Sequence, residues 1–310
     1  MASSAVAATV TTDRADASTV LGSTRKTEPS EALVTGWRHS AAEEQTVTVR
    51  WPAAHGFYDR PDGTYSPLLF SESVRQAAAV VSHTVFDIPL THRLGWEYLV
   101  TQVDPAALAG TGRGATVELR LRHTDIVRRR AGSIHLTTLA TASRDGVELG
   151  TARLRYSALP PAIYDRLRGS HADARQAFAR ALPAAPALPP ASVGRTREQD
   201  VVLATGLIPY HWRLRTDTAH RVLFDHPHDH VPGMVLLEAA SQAAHACAAP
   251  GGLTVPVGFD ARFYRYVELD QPCWITATTA DRGPAGRSIR IDGHQGDALA
   301  FRVTTESVTR

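Results

Sequence analysis

The chain has 310 residues, of which 43% are hydrophobic and 21% are charged, and its formal net charge is +2. This length exceeds what one ordinary core needs and predicts two domains, while the composition is typical of a soluble globular protein. Because the charge is nearly balanced, neither a nucleic acid nor a membrane surface is an expected partner.

The cysteines and the N-terminal segment predict a cytoplasmic protein. Cys247 and Cys273 are the only cysteines, too few for a disulfide framework, so a reducing compartment is the simplest expectation. The first residues lack the charged start and apolar run of a signal peptide. No apolar stretch approaches the roughly 18 residues that span a bilayer.

The first half is predicted to contain a strand, a long buried helix and further strands. Residues 1–28 are rich in Ala, Ser and Thr without a helical or strand period, which predicts a disordered leader. The N-terminal domain is predicted over 29–158, with a strand at 47–51, a helix at about 68–84, and strands at 117–121, 134–143 and 147–157. Asp145-Gly146 between the last two runs predicts a tight hairpin.

The second half repeats this order. Residues 159–195 are Pro- and Ala-rich and predict a linker with a helical patch near 162–181, before a C-terminal domain over 196–310. That domain is predicted to have strands near 199–205 and 210–217, a helix at 233–248, and strands near 255–268, 273–280, 287–292 and 298–305, with Asp292-Gly293 and Gly296-Asp297 marking a turn. Both helices are apolar on nearly all sides, which indicates burial. The predicted fold is therefore α+β, a tandem hotdog in which a curled antiparallel sheet wraps each helix and clefts lie where the halves meet.

Both predicted helices carry a carboxylate in an apolar run. Glu72 is followed by Gln76, and Glu238 by Gln242, with 166 residues between the glutamates. Because a lone buried charge is costly unless it is paired, its occurrence in both halves predicts a duplicated fold with a working cleft.

In the first helix, Glu72 and Gln76 share a face, and Arg75 lies within reach of Glu72. One interpretation makes Glu72 a general base and Arg75 the anchor of an anionic substrate group. Burial would then raise the pKa of Glu72, and Arg75 would lower it again. The alternative is an ordinary ion pair beside a hydrogen-bonded glutamine.

A loop dense in histidine and aspartate, residues 225–230, precedes the second helix. A metal site is one interpretation, but the sequence shows no second ligand cluster, so we predict no metal and no other cofactor. We favour a helix start at Gly233, whose free N–H groups receive an anion or a thioester oxygen. Asp229 or His230 would then act on a substrate beside Glu238, and His226 would contact it. The alternative is that the Asp and His residues only cap the helix.

His55 lies in an aromatic loop before the first helix, where the 225–230 loop lies before the second. It is therefore expected to be the first half's counterpart of that loop and to contact substrate, or else to be a structural histidine. The chain contains no G-x-S-x-G elbow, Walker loop or dinucleotide fingerprint, so covalent serine and nucleotide chemistry lack support.

These motifs together resemble the A-factor synthase family, which begins γ-butyrolactone, butenolide and furan autoregulator synthesis in actinomycetes. The matching segments, in order, are 31–37, 51–58, 72–76 and 229–242. The Pro-Gly-x-x-x-x-Glu-Ala core is also similar, more distantly, to that of hydroxyacyl-carrier-protein dehydratases, which share the hotdog fold.

The resemblance implies an acyltransferase without metal or redox cofactor. A β-ketoacyl group on acyl carrier protein is transferred to the hydroxyl of dihydroxyacetone phosphate or a similar small acceptor. Glu72 or Glu238 would be the general base, Arg75 a phosphate or carbonyl anchor, and the helix amides at Gly233 the oxyanion site. Either a monomer acting as a pseudo-dimer or a homodimer is compatible with this organisation.

The chain departs from the family pattern at two places. The family usually shows Glu-x-x-Arg-Gln in the second helix, whereas this chain has Ser241 before Gln242. A serine supplies neither the charge nor the donor fork of an arginine. If that arginine anchors the phosphate, the chain has lost activity, changed substrate, or uses an arginine from elsewhere. The leader reads Thr24-Arg25-Lys26-Thr27 where the family shows Val-His-Lys or Val-His-Arg. Two further hypotheses are a non-catalytic acyl-binding double hotdog and a hotdog dehydratase or thioesterase.

Overall fold

The computed structural model describes residues 12–13, 17–41, 44–60, 62–110, 112–247, 254–281 and 287–309. Its α-helices are α1 (Ala17–Thr24), α2 (Pro67–Thr84), α3 (Pro161–Arg168), α4 (Ala174–Ala179) and α5 (Gly233–Ala246). Its strands are β1 (Thr12–Asp13), β2 (Val34–Ala41), β3 (Glu44–Trp51), β4 (Arg93–Val103), β5 (Ala115–Arg128), β6 (Ile134–Arg144), β7 (Val147–Leu159), β8 (Leu203–Thr205), β9 (His211–Leu214), β10 (Thr254–Phe263), β11 (Cys273–Asp281), β12 (Arg287–Gln295) and β13 (Ala298–Thr309).

The strands form one 13-stranded sheet in the order β1-β2-β3-β5-β6-β7-β4-β10-β13-β12-β11-β9-β8. Read outward from the central pair β4–β10, the strand order of the second half repeats that of the first. The central pair runs antiparallel from Gly258 opposite Gln102 to Arg262 opposite Tyr98. Each half curls around its own long helix, α2 or α5. The predicted tandem hotdog is thereby confirmed.

Helix α2 begins with the signals expected of a helix start, whereas α5 begins without a side-chain cap. Ser66 caps α2 by accepting a hydrogen bond from the Leu68 amide at 3.3 Å, and Pro67 occupies its first position, where a missing N–H costs nothing. Helix α5 begins at Gly233 after Pro232. A Cβ at Gly233 would lie 2.9 Å from the Trp96 ring of β4, so only glycine lets this helix start approach β4.

The predicted hairpin at Asp145-Gly146 is confirmed, because both residues adopt positive φ between β6 and β7. The turn predicted at Asp292-Gly293 is wrong, since both residues lie inside β12. Gly293 is required there for another reason, because a Cβ would collide with the ring of Phe301 on β13. The turn itself lies at Gly296-Asp297, as the second dipeptide predicts.

The prediction of disorder is wrong for the described part of the leader from residue 17 onward. Helix α1 packs on α2, with Val20 only 7% exposed. This burial provides the order that a segment rich in Ala, Ser and Thr does not signal on its own. Most of the rest of the leader, residues 1–11 and 14–16, lies outside the described residues. The helical patch of the linker divides into the separate helices α3 and α4.

Candidate active site

Glu72 is buried on α2 at the centre of an ionic cluster. Arg75 donates to both of its carboxylate oxygens, from Nε and Nη2, at 2.7 Å each. Gln76 Nε2 donates to Oε1 at 2.8 Å, and Lys26 Nζ lies 3.3 Å from the same oxygen. The side chain of Glu72 is 3% exposed and that of Lys26 is 8% exposed, so the cluster is shielded from water.

The cluster fixes the charge of Glu72. Burial raises the pKa of this carboxyl, but the charges of Arg75 and Lys26 and the hydrogen bonds from Arg75 and Gln76 outweigh burial and lower the pKa to about 2. The sequence predicts that burial raises the pKa of Glu72 and that Arg75 lowers it, and the lowering effect prevails. Glu72 is a stable anion that holds two cations, and such a carboxylate is a weak proton acceptor.

Gln76 connects α2 to the segment between α1 and β2. Its side-chain amide donates to the carbonyl of Glu31 at 2.7 Å and accepts from the Leu33 amide at 2.7 Å. His55 Nε2 lies 3.5 Å from the Glu31 carboxylate in the same region. Burial raises the pKa of Glu31 to about 6, although Lys26 opposes the change.

The second buried carboxylate, Glu238 on α5, is paired by an arginine from the linker. Arg195 donates from Nε to Oε1 at 2.8 Å and from Nη2 to Oε2, while Gln242 donates to Oε1 at 2.5 Å. An arginine from elsewhere in the chain thus pairs with Glu238, although Ser241 stands where the family shows an arginine. Arg195 also donates to the Phe57 carbonyl of the first half at 2.6 Å.

Arg195 is the counterpart of Lys26 in the duplicated arrangement. It follows Lys26 by 169 residues, the same interval that separates Asp200 from Glu31. Gln242 bonds to the Asp200 carbonyl at 2.8 Å, as Gln76 bonds to that of Glu31.

The expectation that the 225–230 loop is the second half's counterpart of His55 is wrong. His220 Nε2 lies 3.2 Å from the Asp200 carboxylate, as His55 lies beside Glu31. His220, rather than a residue of the 225–230 loop, is therefore the counterpart of His55.

One large cleft, of about 870 Å³, lies between the halves. Glu72, Arg75 and Lys26 line it, as do the 225–230 loop and Gly233. Glu238, Gln76, Ser241, Gln242 and His55 are not among its lining residues. Its apolar walls include Ala78, Trp96, Leu154, Leu159, Met234 and Phe263. The two carboxylates therefore differ, because only the first faces the cleft.

Asp229 and His230 form a hydrogen-bonded pair in this cleft. Asp229 Oδ1 lies 3.0 Å from His230 Nδ1. Its other oxygen accepts from Tyr164 Oη at 2.5 Å and from Arg168 Nε at 3.1 Å. Burial raises the pKa of Asp229, but His230, Tyr164 and Arg168 outweigh burial and hold that pKa well below its usual range. Asp229 is thus an anion whose two oxygens are already engaged.

The other end of the loop is fixed to the leader. Asp225 Oδ2 accepts from the Thr27 amide at 3.0 Å, and Asp225 Oδ1 lies 2.8 Å from His226 Nδ1. Ligand atoms of Asp225, His226 and His228 lie within 4.8 Å of one another, a spacing that could hold a metal ion. Burial raises the pKa of Asp225, but the hydrogen bonds with His226 and His228 and the positive charge of Lys26 outweigh burial and hold that pKa well below its usual range. The charge of Lys26 also opposes cation binding at this carboxylate.

Sequence reasoning missed Lys26, Arg195, Tyr164 and Arg168. The last two lie on α3 of the linker, where no pattern distinguishes them from other surface residues. Lys26 could have been found as the only lysine of the chain. Comparison of the chain with itself at an interval of 169 residues would have paired it with Arg195.

The chain matches the sequence model of the A-factor biosynthesis hotdog domain over residues 14–160 and 176–309. Three Streptomyces proteins that resemble it share the name 2-oxo-3-(phosphooxy)propyl 3-oxoalkanoate synthase. The S. virginiae protein is 40% identical over 277 residues, covering 88% of this chain and 91% of that protein. The S. coelicolor protein is 34% identical, covering 90% and 88%, and the S. griseus protein is 35% identical, covering 89% and 91%.

Among solved structures, the 12:0-ACP thioesterase from Umbellularia californica aligns with a TM-score of 0.50 at 12% identity. The alignment covers 86% of this chain and 98% of that one, and it supports the double hotdog fold alone. None of the described helices is long and apolar enough to cross a membrane. The two segments matched by the domain model, together with relatives of up to 40% identity, place this chain in the A-factor biosynthesis hotdog family.

Proposed function

We propose that the chain transfers a β-ketoacyl group from a thioester to the primary hydroxyl of dihydroxyacetone phosphate. The observation that carries this proposal is the joint presence, in one apolar cleft, of the Glu72–Arg75–Lys26 cluster and the Asp229–His230 pair. The shared name of the relatives, 2-oxo-3-(phosphooxy)propyl 3-oxoalkanoate synthase, describes the ester that such a transfer would form.

Lys26 and Arg75 would bind the phosphate of the acceptor. Both are cationic side chains on the cleft wall, and charged donors form the strongest hydrogen bonds to phosphate oxygens. Glu72 holds both cations in position, and its low pKa suits that role better than proton transfer. This proposal differs from the expectation that Glu72 is the base.

The start of α5 would bind the thioester carbonyl. The first N–H groups of a helix have no partner within it, and Gly233, the first residue of α5, lines the cleft. Preorganised donors of this kind stabilise the negative oxygen of a tetrahedral intermediate. The apolar wall that includes Trp96 and Phe263 would hold the acyl chain.

His230 would act as the general base. Its Nδ1 faces Asp229, which favours the tautomer in which Nε2 can accept the proton of the acceptor hydroxyl. The hydroxyl oxygen then attacks the thioester carbon, the C–S bond breaks, and the thiol leaves with the proton that His230 returns. His226 would contact the substrate beside it.

The proposal also names the acyl donor and the compartment in which the reaction occurs. Acyl carrier protein would deliver the β-ketoacyl group, and the reaction would occur in the cytoplasm. Within one chain the two halves already form the pseudo-dimer that encloses the cleft.

Incubation of the purified chain with a β-ketoacyl N-acetylcysteamine thioester and dihydroxyacetone phosphate tests the proposal. Mass spectrometry should detect the phosphorylated acyl ester together with one equivalent of released thiol. Release of free acid without ester would instead indicate a thioesterase. Loss of water from a hydroxyacyl thioester would indicate a dehydratase, and tight binding without turnover an acyl-binding protein.

A further inference from the structure

A basic hairpin lies beside the cleft. It spans residues 125–133, from the last residues of β5 to the residue before β6, and carries Arg128, Arg129 and Arg130 in succession, all exposed. Ile126 and Val127 of the same hairpin are 38% and 45% exposed. Three consecutive arginines beside two exposed aliphatic residues form a surface suited to an acidic partner with some apolar area.

The strand register places this hairpin near two residues of the cleft wall. Arg128 lies opposite Ile134, Ile134 lies opposite Ala158, and the next residue, Leu159, lies opposite Arg93. Leu159 and Arg93 both line the cleft. At about 4.8 Å per strand, Arg128 is about 10 Å from the level of Leu159, across two strand spacings, and about 14 Å from that of Arg93, across three.

One hydrogen bond ties the hairpin to the structure beneath it, from Arg128 Nη2 to the Phe86 carbonyl at 3.0 Å. Gly132 lies close to Pro160, because a Cβ at this glycine would be 3.2 Å from the Pro160 ring. Arg129 and Arg130 lie beyond these contacts at the exposed tip. Residues 125–133 contain one acid, Asp125, against the three arginines, and Asp87 follows the Phe86 that Arg128 contacts.

We propose that Arg129 and Arg130 form the docking surface for an acidic carrier protein that presents its acyl thioester to the cleft. The inference rests on the proposed acyl transfer and adds the place where the donor protein binds. The positive charge of the hairpin beside the cleft complements an acidic carrier, which has to stay outside the cleft while its prosthetic arm enters. Charges at the rim of an interface act mainly on association rate and salt dependence.

The test compares two donors with the same acyl group, one on holo acyl carrier protein and one on N-acetylcysteamine. We expect the charge reversal R129E/R130E to lower kcat/KM for the carrier-bound donor at least about tenfold, through KM. The same variant should leave kcat/KM for the small thioester within about twofold. Higher salt should weaken the carrier reaction of the native chain and leave that of the variant nearly constant.

Two variants serve as controls. R120E/R122E reverses two exposed arginines on β5 outside the hairpin and should leave both donors unaffected. R129K/R130K keeps the charge and should retain most of the carrier activity.

Equal loss with both donors would overturn the proposal, because the hairpin would then be structural. Unchanged carrier kinetics would also overturn it, and binding to anionic phosphatidylglycerol vesicles that R129E/R130E abolishes would then assign the surface to a membrane. If the native chain turns over neither donor, the proposed function fails. Fluorescence anisotropy with labelled holo carrier protein then tests docking separately, and affinity lost in R129E/R130E but kept in R120E/R122E would support it.

Discussion

Arg195 and Glu238 are joined by two hydrogen bonds although 43 residues separate them along the chain. Arg195 supplies the guanidinium that Ser241 lacks, and it does so from the linker. Because Arg195 also bonds to the Phe57 carbonyl, this pair ties the linker and α5 to a loop of the first half.

Removal of this arginine should destabilise the fold. R195M leaves Glu238 buried and uncompensated, so we expect the free energy of unfolding to fall by about 3–5 kcal/mol, as measured by urea denaturation. The double variant R195M/E238M should regain at least half of that loss, since no charge remains buried. R38A, which breaks the exposed pair with Glu118, is the control and should cost less than about 1 kcal/mol. A loss of similar size in R195M and R38A would contradict this account.

Ser241→Arg should not raise activity. Ser241 is not among the residues that line the cleft, and Glu238 already has its guanidinium. A second guanidinium beside Arg195 would add like-charge repulsion and crowding, so we expect stability to fall by about 1–3 kcal/mol with kcat/KM for dihydroxyacetone phosphate unchanged. An increase in kcat/KM would show that α5 contributes to the acceptor site after all.

The two buried glutamates should differ in function. Glu72→Gln weakens the hold on Arg75 and Lys26 in the cleft, and we expect kcat/KM to fall at least about thirtyfold, about 2 kcal/mol. Glu238→Gln should lower stability and leave kcat/KM within about threefold when it is assayed well below its unfolding temperature. Steady-state kinetics on both variants, with folding checked by circular dichroism, makes the comparison. Equal effects on kcat/KM would remove the distinction between the two carboxylates.

His230→Gln should lower kcat by about 10²–10⁴ if His230 is the general base. Tyr164→Phe deletes one hydrogen bond to Asp229 and should produce a smaller fall in kcat with little change in KM. Steady-state kinetics of both variants at one pH, with folding checked by circular dichroism, measures the two effects. His211→Gln, at a histidine that stacks on Trp274 and does not line the cleft, is the control and should retain activity.

The two acids near Lys26 predict opposite pH dependences of stability. The pKa of Glu72 is lowered from 4.5 to about 2, so its ionised form favours the folded state. That stability is present above pH 4.5 and is lost as the pH falls toward 2. The pKa of Glu31 is raised from 4.5 to about 6, so its protonated form favours the folded state, and that stability is lost as the pH rises from 4.5 through 6.

Denaturation curves of E72Q and E31Q from pH 2 to pH 8 would separate the two contributions. E72Q should flatten the acid limb below pH 4.5, and E31Q the region between pH 4.5 and 6. Curves that run parallel to that of the native chain in both regions would contradict the assignment.

The features that the sequence predicts well are local ones. The buried helices, their Glu and Gln pairs and the hairpin at Asp145-Gly146 follow from residue spacing within one element. Strand β4 was missed because its residues near the cleft are half-buried on both faces, which erases the alternation that identifies a strand. Arg195 was missed as the partner of Glu238 because it approaches through the tertiary fold, and no local pattern records such a contact.

Because the strand pair β4–β10 joins two halves of a single chain, the two halves can acquire different substitutions. When two identical chains build a cleft by symmetry, any substitution appears at both symmetry-related positions. Here one polypeptide contributes both halves, so a serine can stand at position 241 while an arginine is retained at position 75. Glu238 can therefore serve the stability of the fold alone, while Glu72 remains under selection for its role in the cleft.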